Sequence, residues 1–401
     1  MIVVIGILAF PLKSFNVEVW PIPVWETFEI MKDKRSRLVV LALSMVTLGA
    51  TIVVAQDVTE PQPRRAPTYT DHTKLMVVRD GTGRELPIAG PADWEVRRDH
   101  ILAHFQEAAG PLPGAERRVP LEMQVVEEAR EPGFVRKKIT FATEPGDRVP
   151  AWLLIPDSPS RTSPGRPAVL CLHQTIAIGK DEPVGLGKNL ELSYARELAQ
   201  RGFVTLAPDY PNFGEYNLDV YALGYASATM KAIWNNMRAV DLLCSLKEVD
   251  PNRIGVIGHS LGGHNAIFTA LFDRRLKAVV SSCGFNAFPY YYKGNITGWS
   301  HRGYMPRLRE NYQLDLTKVP FDFPELIAAL APRAFFTSSP LRDANFEVDG
   351  IRTCIAAARP VYDLLGAGDR LVTIYPDAEH SFPRAERMLA YRFLDQYLAT
   401  R

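Results

Sequence analysis

Six short apolar runs, most of them parted by stretches of helical periodicity, limit what this chain can fold into more than any other feature of it. They fall at residues 168–172, 204–207, 254–257, 278–282, 334–337 and 371–375. The helical patterns around them cover 190–201, 226–247, 262–271, 350–365 and 384–398. Runs this short and this apolar suit strands buried on both faces, and strands alternating with helices give a parallel sheet covered on both sides. Upstream, residues 121–128, 134–143 and 149–155 are β-rich and separated by turn-forming EPG and EPGD segments, so they read as antiparallel strands. The expected class is α/β: a mostly parallel sheet of about eight strands, entered through an antiparallel edge, with helices on both faces.

Composition agrees with that class and removes others. Of 401 residues, 47% are hydrophobic and 23% charged, which excludes a disordered or collagen-like chain. Lys plus Arg number 46 against 45 Asp plus Glu, and so even a balance argues against a dedicated nucleic-acid binder. The four cysteines, Cys171, Cys244, Cys283 and Cys354, show neither CxxC spacing nor a dense framework. Free buried thiols, or at most one bridge, are expected rather than a redox or zinc site.

The N-terminal region carries an address. From Met31 a basic MKDKRSR segment leads into the uncharged apolar run 38–54, which ends in Val53-Val54-Ala55. That is a signal-peptide pattern with cleavage before Gln56. The reading is an upstream extension at 1–30, a signal peptide at 31–55, an arm and helix at 56–114 and a catalytic domain at 115–401. The expected location is periplasmic or secreted. The alternative is a membrane anchor formed by 38–54, the one way a membrane enters this reading.

Gly258-His259-Ser260-Leu261-Gly262 fits G-x-S-x-G, and its context matters more than its letters. A strand precedes it and a helical pattern follows, so the two glycines permit the sharp turn that lifts Ser260 above the sheet. A serine hydroxyl needs a base, and the base needs an orienting acid. His380 follows the last strand in a PDAEHSF loop, at the carboxyl end of the sheet where ligands gather. Asp343 lies just past the strand 334–337, on the same edge. Glu347 and Asp349 sit nearer the next helix start and read as N-terminal helix acids. Asp377 is too near His380 in sequence to orient its ring. The N–H groups of Thr175 and Leu261 are the expected oxyanion donors, with Gln174 as the alternative to Thr175.

On the GHSLGG, DAEHSF and strand-end Asp343 motifs, residues 115–401 resemble the α/β-hydrolase superfamily. The helix ending in GPLP, the APDYPNFGEY segment and LAPRAFF are similar to its secreted dienelactone-hydrolase and acetyl-xylan-esterase-like group. One departure is Gln174, where many relatives have glycine after the histidine. The resemblance implies an exported serine hydrolase that cleaves carboxylic esters, with an acylated plant carbohydrate as the substrate. It implies no metal and no organic cofactor. A peptidase of the prolyl-oligopeptidase type and a non-catalytic binding module on the same fold are the rival readings. The former lacks room for a gating propeller.

One segment breaks the rhythm. Residues 284–330, after the sixth strand of the expected eight, form a long aromatic insertion, read as a lid or binding loop. Trp299 and Tyr304 within it are candidate substrate contacts with Gln174; the alternative is packing against the sheet. His100 and His104, four apart on a helix, lack the Glu that HExxH requires and are set aside.

Overall fold

The computed structural model describes residues 66–157 and 165–399, with the backbone of 37–42 and 53–58. The chain divides into two units, Met1–Arg65 and Ala66–Arg401. In the first, β1 (Arg37–Ala42) pairs antiparallel with β2 (Val53–Val58). The expected extension at 1–30 and much of the signal segment 31–55 lie outside the described residues. No described helix is long and apolar enough to cross a membrane.

The second unit opens with a small hairpin, β3 (Val77–Arg79) and β4 (Glu85–Pro87), then helix α1 (Pro91–Ala109). Three antiparallel strands follow: β5 (Gln124–Glu131), β6 (Phe134–Glu144) and β7 (Asp147–Pro156). Then come β8 (Arg166–Leu172), α2 (Tyr194–Gln200), β9 (Val204–Pro208), α3 (Ala228–Ser245) and β10 (Val249–His259). Helix α4 (Leu261–Phe272) and β11 (Leu276–Ser282) precede the insertion, which holds α5 (Arg307–Glu310) and α6 (Phe323–Ala328). The chain closes with β12 (Ala334–Ser338), α7 (Val348–Leu364), β13 (Leu371–Ile374) and α8 (Arg384–Leu398).

Nine strands form one sheet in the order β13-β12-β11-β10-β8-β9-β7-β6-β5, and the six from β8 to β13 run parallel. The sheet has one strand more than the expected eight, one for each of the nine runs, so the insertion follows its seventh strand rather than the sixth; the edge strand β5 lies three residues later than the run 121–128. Its register comes from the tight Pro132-Gly133 turn, which sets Glu131 opposite Phe134 and carries β5 on through a run of charge. Cross-strand pairs Glu128–Lys137 and Glu131–Arg136 hold that run, so charge there signals a solvated edge rather than a strand end.

Each face of the sheet buries its own core. One contains α1, α3, α4 and the insertion; the other contains α2 and α8. Helix α1 is integral to the first, because Trp94, Ile101 and Phe105 are buried there and Phe105 lies 5.0 Å from Phe268 of α4. All four cysteines are free thiols.

The insertion is anchored rather than loose. Asp322 caps α6, and both its oxygens accept from the Phe288 N–H at 2.9 and 3.1 Å. Glu325 pairs with Arg97 of α1 and with His72 at 2.8 Å. Burial, only partly offset by those N–H bonds, raises the Asp322 carboxyl from 3.8 to about 7. Between those values the folded chain keeps a proton that the unfolded chain has lost, so this group's stabilisation fades as pH climbs from 3.8 to about 7. His72 has the same sign: burial lowers it, but Glu325 outweighs that, and its stabilisation is lost as pH rises through the raised value. Glu325 has the opposite sign, held low by His72 and Arg97 against its burial, and weakens the fold only in acid. Asp322→Asn is therefore expected to flatten the fall in melting temperature between pH 5 and pH 7, measured by calorimetry.

Candidate active site

The carboxyl ends of the parallel strands bring together residues far apart in sequence. Ser260 stands between β10 and α4 with φ 53° and ψ −117°, a left-handed conformation strained for a residue with a Cβ. The turn closes only because its glycines are bare. A Cβ at Gly258 would lie 2.2 Å from Gly262, and one at Gly262 would lie 1.9 Å from the Leu172 carbonyl oxygen. Helix α4 begins at the next residue, so its N-terminal N–H groups, lacking acceptors within the helix, lie beside Ser260.

His380, on the loop after β13, places Nε2 2.9 Å from Ser260 Oγ and Nδ1 2.9 Å from Asp343 Oδ2. Asp343 reaches this position from the loop after β12, which is zipped to the His380 loop. Ser339 N–H donates to Ile374 O at 3.0 Å, Leu341 N–H to Pro376 O at 2.9 Å and Arg342 N–H to Ala378 O at 3.0 Å. The second Asp343 oxygen accepts the N–H groups of Asn345 and Phe346 at 2.8 and 3.2 Å. Burial pushes the carboxyl upward, but the His380 bond and these two N–H groups overcome it and hold Asp343 below its ordinary value. An ionised Asp343 takes the proton on Nδ1 as its hydrogen-bond donor, which leaves the Nε2 lone pair facing the serine hydroxyl.

Next to this chain lies a second imidazole. The His259 ring centroid is 4.9 Å from that of His380, and its Nδ1 is 3.0 Å from Ser282 Oγ. Burial, reinforced by His380, lowers His259 to about 3, so it is neutral at working pH and sets no positive charge against its neighbour.

The loop after β8 is oriented by His173. Its Nε2 accepts the Tyr210 N–H at 3.0 Å, so Nδ1 carries the proton and donates to the Gln174 carbonyl at 2.6 Å. In a planar trans peptide the carbonyl and the following N–H point in opposite directions. The Thr175 N–H therefore faces away from His173. Asp209 pins the far side of the loop by accepting the Lys180 N–H at 2.8 Å and pairing with the Lys180 ammonium at 3.0 Å. His173→Ala is expected to lower kcat about 10²-fold, the order of losing one oxyanion donor, with KM little changed. Steady-state kinetics on a small ester test this, and an unchanged kcat would remove His173 from the site.

Ser260 and His380 line a cleft of about 300 Å³ together with Gln174, Thr175, His264, Tyr291, Gly298, Trp299, Tyr304, Asn345 and Phe346. All three residues named from sequence as substrate contacts are on its wall. Gln174 is tied back, its Nε2 donating to Glu182 at 2.9 Å, and Tyr304 Oη meets Thr175 Oγ1 at 3.3 Å. Trp299 is 3% exposed and packed among Phe323, His264 and Tyr291 at 5.2, 4.8 and 5.7 Å. It belongs chiefly to the wall's packing, and its Nε1–H has no partner among the described residues. Leu261 is buried and is the first residue of α4, directly after Ser260. His173, His264 and the amides of Asn345 and Phe346 escaped sequence reasoning. A histidine at a strand end carried a hint for the first, and the others left no local pattern.

Comparisons with known proteins find similarity to esterases and hydrolases. A glucuronyl esterase family, described from fungi, matches residues 212–366. The chain is 27% identical over 301 residues to YtaP of Bacillus subtilis strain 168, which bears the name of a hydrolase; the match covers 72% of this chain and 96% of YtaP. Among solved structures, a glucuronoyl esterase from Solibacter usitatus superposes with TM-score 0.64 at 19% identity, covering 84% of this chain and 100% of that one. An acetyl xylan esterase from Paenibacillus sp. R4 gives TM-score 0.51 at 19% identity, over 77% and 96% of the two chains. At such identities the structures speak for the fold, and that fold is the α/β-hydrolase fold.

Proposed function

We propose that this α/β-hydrolase is a serine esterase that cleaves carboxylic esters of plant carbohydrate through an acyl-enzyme. The observation that carries the reading is the continuous hydrogen-bonded line Ser260–His380–Asp343, with the serine held in a strained turn at the end of β10. Ser260 Oγ attacks the ester carbonyl while His380 Nε2 takes its proton, and Asp343 stabilises the imidazolium that forms. The Thr175 and Leu261 N–H groups receive the oxyanion. As the tetrahedral intermediate collapses, the C–O bond to the alcohol breaks and His380 returns the proton to the departing oxygen. Water then repeats the sequence, releases the acid and restores Ser260. No step calls for a metal or an organic cofactor.

Support for a carbohydrate ester comes from the glucuronyl esterase match and from the glucuronoyl and acetyl xylan esterases among the structural neighbours. The cleft wall, aromatic but carrying the amide of Gln174 and the hydroxyls of Thr175 and Tyr304, suits a ring rich in hydroxyl groups. Export of the mature chain is part of the same proposal and rests on the basic and apolar pattern at 31–55.

The test compares p-nitrophenyl acetate, acetylated xylan and a methyl ester of glucuronic acid, with fluorophosphonate labelling of Ser260. Turnover of at least one sugar ester, together with labelling, is the expected result. A folded protein that hydrolyses none of them and takes no label would overturn the reading. Trp299→Phe keeps an aromatic ring but removes an N–H that is sealed inside the wall, so KM for the sugar ester and for the acetate should change together, by less than about fivefold. A rise in KM for the sugar ester alone would show that Trp299 contacts the sugar.

A further inference from the structure

Behind the catalytic line lies a thiol that the mechanism does not use. Cys283 is the first residue after β11 and takes φ 49°, with its N–H donating to Ser338 O at 3.0 Å. This turns the side chain toward the loop that carries His380, where Sγ lies 3.4 Å from the Ser381 carbonyl oxygen. The ligating atoms of Cys283, Asp343 and His380 all fall within 4.8 Å of one another. A thiolate, a carboxylate oxygen and an imidazole nitrogen are the donors that zinc prefers. In a tetrahedral zinc site such donors stand about 3.3–3.8 Å apart, so the thiol must move inward and the His380–Asp343 pair, now 2.9 Å apart, must open slightly.

We propose that Cys283 Sγ, an Asp343 carboxylate oxygen and His380 Nδ1 form a zinc site that reversibly switches off the esterase. The inference rests on the serine esterase reading for its consequence, though not for the binding itself. On binding, the Cys283 proton leaves to solvent and Sγ coordinates as thiolate. The Nδ1 proton that His380 shared with Asp343 is replaced by the metal, and the ring carries its proton on Nε2 instead. Two negative ligands and one neutral ligand balance the dication, one proton is released, and water completes the shell. With Nε2 protonated, His380 has no lone pair for the Ser260 hydroxyl, and attack stops. Burial and the neighbouring Asp343 carboxylate keep the free thiol protonated and unreactive, so in the absence of metal Cys283 does not interfere. The three ligands lie 60 and 37 residues apart, which is why no metal-binding spacing appears in the sequence.

The experiment uses the full chain in chelator-free buffer, with zinc chloride titrated against p-nitrophenyl acetate hydrolysis. Each variant is referred to its own zinc-free rate. Inhibition that EDTA reverses is expected, and Cys283→Ala should need at least about tenfold more zinc, as loss of a ligand demands. Should that variant fold poorly, Cys283→Ser keeps the volume and removes the thiolate. A second readout needs no turnover: cobalt(II) added to Ser260→Ala should give a thiolate-to-cobalt absorption band that is absent from Ser260→Ala/Cys283→Ala. The cobalt band separates failure of the site from failure of the esterase reading. Zinc sensitivity equal in the wild type and both Cys283 variants, or no cobalt–thiolate band, would overturn the site.

Discussion

Ser260→Ala is expected to lower kcat on any ester substrate by about 10⁶-fold, the scale seen when a triad nucleophile is removed from a serine hydrolase. The loss is that large because the rest of the machinery then has nothing to serve. Nε2 of His380 lies 2.9 Å from the missing oxygen, and no other hydroxyl is hydrogen-bonded to it among the described residues. Stability should move in another direction. At φ 53° and ψ −117° Ser260 sits where only glycine is comfortable, at a cost of about 1–3 kcal/mol. Ser260→Gly should therefore be as inactive as the alanine variant yet melt higher than the wild type. Calorimetry beside single-turnover kinetics separates the two effects. Residual activity within about 10²-fold of the wild type would show that another group performs the attack.

The second expected result concerns the acid. Asp343→Asn should reduce kcat about 10⁴-fold while the fold persists, and the reason lies in the hydrogen-bond directions around the side chain. One Asp343 oxygen accepts two backbone N–H groups, from Asn345 and Phe346, and the other accepts from His380. In asparagine the amide oxygen must face the two backbone donors, which turns the NH₂ group toward His380 Nδ1. That nitrogen becomes an acceptor, the ring proton moves to Nε2, and the base is gone. The far-ultraviolet circular dichroism should match the wild type. A variant that keeps more than a tenth of its kcat would remove Asp343 from the role.

Much of this was legible in the chain because it is local. The strand, turn and helix around Ser260 lie within a few residues, and the two glycines that permit the turn are adjacent to it. The parallel strands were legible because burial on both faces makes them continuously apolar. The edge strand β5 was read three residues early, since its pairing is set by the Pro132-Gly133 turn and by cross-strand ion pairs rather than by apolar alternation. His173 passes as the ordinary first member of a tripeptide whose departure is Gln174. Its effect on the Gln174–Thr175 peptide depends on the Tyr210 N–H, 37 residues away. Cys283 ended a strand like any other small residue, and its place behind His380 comes from two crossovers that no local pattern encodes. The aromatic insertion drew attention through composition, but what holds it is the buried group around Glu325, whose partners Arg97 and His72 lie more than 200 residues upstream.

The cleft measures about 300 Å³, at the small end for ligand pockets, and Tyr304 and Thr175 are joined in its wall by their hydroxyls at 3.3 Å. Under the esterase proposal, a space of that size takes in one decorated sugar and leaves the rest of the polymer outside it. On the proposed reading the enzyme works on protruding branches and chain ends, so its rate on an insoluble wall would follow the number of such termini rather than the mass of polysaccharide. Chain-cutting enzymes that create new ends would accelerate it without altering its kcat, and the order in which the two are added to a substrate would matter.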